Sequence, residues 1–248
     1  MGKVVLVTGG GRGIGAATCI LAAQKGWDVA VNYTANAEAA QQVVQQIQAT
    51  GGRAMAVQAD VANEAQVLAM FKRVSTEMGP LQGLVNNAGV VDVSARLDEM
   101  SMARWRRMFD INVLGSMLCA REAILQMSTR HGGQGGSIVN LSSAAARLGS
   151  PGQYLDYAAA KGAIDSLTLG LAKEVAAEGI RVNAIRPGLI DTEIHASGGL
   201  PNRVKELEHL VPAKRGGSAM EVAQAIVWLL SDEASYTTMS LIDVSGGR

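Results

Sequence analysis

Short apolar runs rich in β-branched residues alternate along this chain with longer segments in which polar residues interrupt the apolar ones. That is the pattern of buried strands separated by helices. Lys3 to Val7, Asp28 to Tyr33, Arg53 to Ala59, Leu81 to Asn86, Gly136 to Leu141 and Ile180 to Arg186 read as six strands, with a short seventh near Leu241. Helices are expected over Ala16 to Lys25, Ala35 to Thr50, Glu64 to Met78, Ser101 to Thr129, Tyr154 to Glu178 and Ser218 to Ser231. Such alternation argues for an α/β fold, a doubly wound parallel seven-stranded sheet with helices on both faces. Leu189 to Lys214 carries Gly198, Gly199, Pro201 and Pro212 and is predicted to be an excursion, not a core element.

Composition narrows the picture. The 248 residues suit one large domain spanning 1–248 and are too few for two comfortable ones. A formal net charge of zero offers nothing to nucleic acid or an anionic membrane surface. Cys19 and Cys119 are far apart and form no C-x-x-C pattern, which fits a reducing, cytoplasmic compartment. His131, His195 and His209 lack metal-ligand spacing and are expected on surfaces or loops, so no metal site is expected. No apolar run approaches the ~20 residues of a membrane span, and the N-terminus lacks a signal-peptide layout.

Candidate chemistry sits just beyond the predicted strands. In a doubly wound fold the loops after the strands meet at the sheet's C-terminal edge, where ligands bind. Gly9 to Gly15, Asp60-Val61, Asn86 to Gly89, Ser143 and Pro187-Gly188 should therefore converge. The first of these, Thr8-Gly-Gly-Gly-Arg-Gly-Ile-Gly15, lies between a strand and a helix and satisfies a loose dinucleotide fingerprint through Gly11, Gly13 and Ala16. Glycines let a backbone approach a pyrophosphate, which helix amides can then hold. Tyr157 and Lys161, four residues apart on one helix face, could form an acid–base pair, since a neighbouring cation lowers a tyrosine pKa from ~10.

Together these motifs resemble the short-chain dehydrogenase/reductase family. Its T-G-x-x-x-G-x-G corresponds to Thr8, Gly9, Gly13 and Gly15, and its N-N-A-G to Asn86 through Gly89. Asn112, Ser143, the Tyr157–Lys161 pair and Pro187-Gly188 complete six motifs in family order. The 3-oxoacyl-carrier-protein reductases and the YgfF-like, glucose 1-dehydrogenase-like oxidoreductases are especially similar. The resemblance implies a Rossmann fold and hydride exchange between a nicotinamide and a carbonyl/alcohol pair. It makes Tyr157 the general acid, with Ser143 (Ser142 is the alternative) bonding the same oxygen. Lys161 would lower the Tyr157 pKa and bind the nicotinamide ribose, and Asn112 would hold a water linking Lys161 to solvent. The cofactor would contact Gly9, Arg12, Gly13, Ile14, Gly15, Asn32, Tyr33, Thr34, Asp60, Val61, Asn87, Ala88, Gly89, Pro187, Gly188, Ile190 and Thr192, besides Tyr157 and Lys161.

An NAD enzyme usually carries a carboxylate at the end of its second strand. Here that end reads Asn32-Tyr-Thr34, and Arg12 sits in the glycine loop, so NADPH/NADP+ is favoured over NADH. In the carrier-protein reductases basic residues dock an acidic partner; Arg130 matches one, but Glu178 replaces the other. That favours a free ketone, aldehyde or sugar as substrate, with the carrier-bound acyl chain as the alternative. A non-catalytic NADP(H)-sensing protein is the reading of another class, disfavoured because Asn112, Ser143, Tyr157 and Lys161 are all present. A homo-oligomer, tetramer or dimer, is implied, although Met239 and Ser245 stand where the family usually has glycine and aspartate.

Overall fold

A computed structural model describes residues 2–248, the side chain of His195 excepted. Seven parallel strands form the central sheet in the order β3-β2-β1-β4-β5-β6-β9. They are β1 (Val4–Val7), β2 (Asp28–Tyr33), β3 (Ala54–Gln58), β4 (Leu81–Asn86), β5 (Gly136–Leu141), β6 (Ile180–Pro187) and β9 (Leu241–Val244). Side chains alternate across the sheet, so one strand serves both cores. Val4 and Leu6 of β1 pack among residues of α3 (Glu64–Met78), α5 (Gly115–Met127) and α7 (Leu155–Val175). Val5 and Val7 pack among residues of α1 (Gly13–Gln24), α2 (Ala37–Ala49) and α10 (Ala219–Leu230).

Helix starts follow local polar chemistry. Asn36 caps α2 through the Ala39 amide, Asn63 caps α3 through that of Gln66, and Ser218 forms a capping box with Glu221 on α10. The single helix expected over Ser101 to Thr129 is divided. α4 (Met102–Phe109) passes through a π-helical turn, Asp110–Leu114, before α5 begins. Asn112 lies in that turn, and its Nδ2 donates to the Met108 carbonyl at 3.0 Å and the Val90 carbonyl at 3.1 Å. A side chain inserted into the helical ladder is a usual origin of such a bulge. The excursion contains two short helices, α8 (Ile194–Ser197) and α9 (Arg203–Leu207). It is closed by a two-residue strand pair, β7 (Ile190–Asp191) with β8 (Gly217–Ser218), which the hydrophobic pattern did not reveal.

Polar residues also cross the buried sheet. Asn86 of β4 donates to the Asn140 side-chain oxygen on β5 at 3.0 Å, and Asn140 donates to Thr168 of α7 at 2.9 Å. Both asparagines are buried, so each bond meets a need that water cannot. Among the described residues no helix is long and apolar enough to cross a membrane.

Met239, just before β9, adopts φ +63° and donates its N–H to the Val182 carbonyl at 2.7 Å. This left-handed backbone costs a side-chain-bearing residue ~1–2 kcal/mol, and the thioether is exposed. Met239→Gly should raise unfolding stability by about 1 kcal/mol in a denaturant titration. A loss of stability would mean that contacts of the methionine outweigh the backbone strain.

Candidate active site

The loop after β1 is shaped by its neighbours. Asn32, buried at the end of β2, accepts from the Gly9 amide at 3.1 Å and donates to the Ala59 carbonyl at 3.0 Å. Thr8 Oγ1 accepts from the Asn87 and Ala88 amides, each at 3.0 Å, while Asn87 Nδ2 donates to the Thr8 and Gly9 carbonyls. A side-chain carbon on Gly15 would lie 2.6 Å from Asn87 Nδ2, so only glycine fits there. α1 starts at Gly13, whose φ is +52°, with no side-chain cap on its first turn and no acidic residue in it. The backbone can approach closely at this point, and the uncapped amides suit an anion such as a pyrophosphate. On these grounds the residues fit a dinucleotide.

A cavity of about 160 Å³ opens beside this loop at the C-terminal edge of the sheet. Ile14, Asn87, Gly89, Pro187, Gly188, Ile190 and Thr192 line one side. Tyr157 and Lys161 line it as well. Lys161 Nζ donates to the Leu141 carbonyl at 2.6 Å and stands 5.5 Å from the centroid of the Tyr157 ring. Burial lowers the Lys161 pKa from 10.5 to about 8, against the pull of Asp165, which is itself paired with Arg186 at 2.8 Å. Burial also pushes the Tyr157 phenol up to about 12, with a hydrogen bond from Ser143 opposing the shift. The lowered tyrosine pKa expected from the lysine is therefore not found in the protein alone: desolvation dominates, and it is Ser143 that opposes it.

The rival serines separate. Ser142 is buried, its hydroxyl donating to the Lys161 main-chain carbonyl at 3.2 Å. Ser143 is the one that bonds Tyr157, and its Oγ also accepts from the Ala145 amide at 3.1 Å. Asn112 is fully buried, and its Oδ1 accepts from the Val90 amide at 3.1 Å. These bonds tie the side chain to Val90 and Met108 and leave one acceptor position on Oδ1. It still borders Lys161, since a carbon added to Gly89 would meet Asn112 Oδ1 at 2.7 Å and Lys161 Nζ at 3.6 Å.

Other expected contacts are placed differently. Asn32 acts through the glycine loop it braces, because its side chain is consumed internally. Val61 is buried against Gly115, so only its backbone is presented, and Asp60 Oδ1 accepts from the Ala62 amide within its own loop. Tyr33 is half-buried and Thr34 exposed. Arg12 is exposed, with Nη1 3.5 Å from Ser197 Oγ of the excursion. Glu178 is not at the entrance of this chain's site. It follows the far end of α7, where it pairs with Ser128, and immediately precedes β6 at the opposite edge of the sheet. Ser245 lies against Gly188, whose added carbon would come within 2.8 Å of the serine Cβ. His131 and His209 are exposed, while the His195 side chain lies outside the described residues.

Sequence reasoning missed the far side of the cavity. Val91, Ser150, Tyr154, Ile194 and Arg203 line it, with Gly198 of the excursion packed against Val91 and Tyr154 and Arg203 over the Tyr154 ring. Tyr154 precedes α7 and donates to the Gly198 carbonyl at 3.4 Å. Its spacing from Lys161 concealed it, and the irregular segment around Arg203 carries no periodicity. The Arg104–Asp156 pair, buried between α4 and α7, was also missed. Arg104 makes two bonds to the carboxylate at 2.7 and 3.1 Å and a third to the Val93 carbonyl at 2.6 Å. Asp156 in turn accepts from the Tyr157 amide at 2.9 Å, fixing the first turn of the helix that carries both active groups.

A family model described as enoyl-(acyl carrier protein) reductase matches residues 9–248. The chain is 56% identical over 245 residues to an uncharacterized oxidoreductase, YgfF, of Escherichia coli (strain K12), covering 99% of each. It is 38% identical over 248 residues to the 3-oxoacyl-[acyl-carrier-protein] reductase FabG of Staphylococcus aureus (strain Mu50 / ATCC 700699), covering 100% of this chain and 98% of that one. A crystal structure of a short-chain type dehydrogenase/reductase from Mycobacterium marinum superposes with a TM-score of 0.93 at 34% identity, covering 99% of this chain and 95% of that chain.

Nitrogen-15 NMR of the lysine side chains in the protein alone should find Lys161 titrating near pH 8, far below the usual 10.5. Lys161 is then charged below that pH and neutral above it. A midpoint above about 10 would show that the ammonium is better solvated than its burial indicates.

Proposed function

The chain belongs to the short-chain dehydrogenase/reductase family and is an oxidoreductase acting on CH–OH/C=O groups, and from that premise we propose that it is an NADPH-dependent reductase of a small free carbonyl compound, with Tyr157 as general acid. One observation carries the reading: Tyr157, Lys161 and the residues suited to a dinucleotide face a single small cavity. When bound, the nicotinamide supplies the hydride. Tyr157, protonated at neutral pH, presents its hydroxyl to the carbonyl oxygen, and Ser143 donates to that oxygen as charge develops. The Lys161 ammonium, one helical turn from the phenol, stabilises the phenolate left behind. Asn112 holds the π-turn against Gly89 and Lys161 and is a positioning residue.

The cofactor preference rests on the end of β2, where Asn32-Tyr33-Thr34 offers no carboxylate to a ribose hydroxyl and no repulsion to a 2′-phosphate. Exposed Arg12 can add an attractive charge. The cavity's size favours a free substrate over a long carrier-bound acyl chain, and the presence of all four candidate catalytic residues favours an enzyme over a sensor. We also place a second copy of the chain against α4, the π-turn and α5, where Met102, Phe109, Leu114, Met117 and Leu125 are exposed.

Tyr157→Phe should cut NADPH-dependent ketone reduction by about 10²–10⁴-fold while leaving NADPH binding nearly intact. The wild-type rate should hold below pH 8 and fall above it, as Lys161 loses its proton near 8 while Tyr157 keeps its own to about 12. More than a tenth of the activity retained in Tyr157→Phe would remove the tyrosine from its role.

Tyr33→Asp should shift the kcat/KM ratio toward NADH by roughly tenfold or more, through repulsion of the 2′-phosphate. Arg12→Ala should push the same way. A wild type that already prefers NADH would overturn the cofactor assignment.

A further inference from the structure

Among the described residues Arg203 is the charged side chain that the excursion contributes to the cavity lining. It is half-buried, and its guanidinium lies over the Tyr154 ring, 5.1 Å from the centroid. No ion pair to it forms among the described residues. Asp156, the carboxylate buried nearby on α7, is taken by Arg104. Glu206 acts on Arg203 only at longer range, and the positive charge of Arg248 opposes it. A half-buried guanidinium over an aromatic face, with none of its N–H donors bonded among the described residues, is a ready site for a planar anion.

Its position relative to the acid defines what that anion belongs to. Tyr154 stands just before α7 and Tyr157 in its first turn, and both line the cavity. A group held by Arg203 over Tyr154 therefore shares one small cavity with a carbonyl held by Tyr157. The start of a helix adds its own preference for negative charge. We propose that Arg203 binds a carboxylate of the substrate, which narrows the reductase reading above, on which this rests, to short oxo acids. The cavity's modest volume favours a carboxylate over a bulkier anionic group, and the apolar Val91 and Ile194 leave room for the carbon chain between the two anchors.

The test pairs acetoacetate and levulinate with their methyl esters, which keep the carbonyl and lose the charge. With NADPH, wild-type kcat/KM for the better acid should exceed that for its ester by roughly ten- to a hundredfold, mainly through KM, as one charge-assisted pair allows. In Arg203→Met, which keeps the stem over Tyr154, the acid-to-ester ratio should fall to about one; Arg203→Lys should keep part of it. Calorimetry with levulinate in saturating NADP+, which cannot reduce it, gives a readout free of turnover. Wild type should bind levulinate and Arg203→Met should not. Equal use of acid and ester by the wild type, or levulinate binding that survives Arg203→Met, would overturn the carboxylate site while leaving the reductase reading intact. Levulinate binding that depends on Arg203, with neither acid nor ester oxidising NADPH, would instead uphold the site and overturn the reductase reading.

Discussion

Lys161 carries its ammonium in the lining of the cavity, where the Leu141 carbonyl accepts from it at 2.6 Å. Removing an ammonium from water costs several kcal/mol, and a single charge-assisted hydrogen bond returns ~1.5–3. The shortfall shows in the lowered pKa, and it explains why so much of the surroundings is arranged about this one group. Asp165 sits one turn along α7 and is held by Arg186 of β6, which ties the lysine's electrostatic partner to the central sheet. Gly89 has no side chain because Asn112 and Lys161 occupy the space. Ser142 bonds the backbone of the lysine itself. These contacts join three strand ends and two helices at a point where each would otherwise leave polar groups unmet.

Much of this was legible in the sequence because it follows from period and punctuation. The strands were visible as β-branched runs, and residues following five of them could be expected to meet because parallel strands end on a common edge. Tyr157, Lys161 and Ile14 of the glycine loop face one cavity for that reason. What escaped detection depends on contacts between distant, irregular segments. Arg203 lies in a stretch of glycines and prolines without period, and Tyr154 becomes a cavity wall only because Gly198 folds down to its hydroxyl. The Arg104–Asp156 pair joins two helices whose mutual placement no local pattern encodes. The break in the long helix was hidden as well, since a π-turn leaves the hydrophobic pattern almost unchanged while Asn112 rewires the backbone bonds beneath it.

Sequence reasoning also misjudged electrostatics in an instructive way. A lysine four residues from a tyrosine was expected to lower the phenol's pKa, yet in the protein alone both groups move toward neutrality. Helical spacing reports proximity but not solvent, and here loss of solvent dominates. The same distinction applies at β2. Asn32 looked like a cofactor contact by position, but burial turns its amide inward, where it sets the conformation of the loop that would make the contact.

The Thr8 hydroxyl receives amides lying 79 and 80 residues further along the chain. The glycine loop's shape is therefore not a property of the first strand and helix, however well they form. During synthesis, the opening segment must wait for the strand ending at Asn86 to leave the ribosome and slot in beside β1 before the loop is complete. Until then Thr8 and Gly9 have no Asn87 to brace them. A ligand that recognises the finished loop would consequently report on long-range assembly of the sheet, and an isolated N-terminal β-α-β fragment would be a poor stand-in for the nucleotide site of the whole protein.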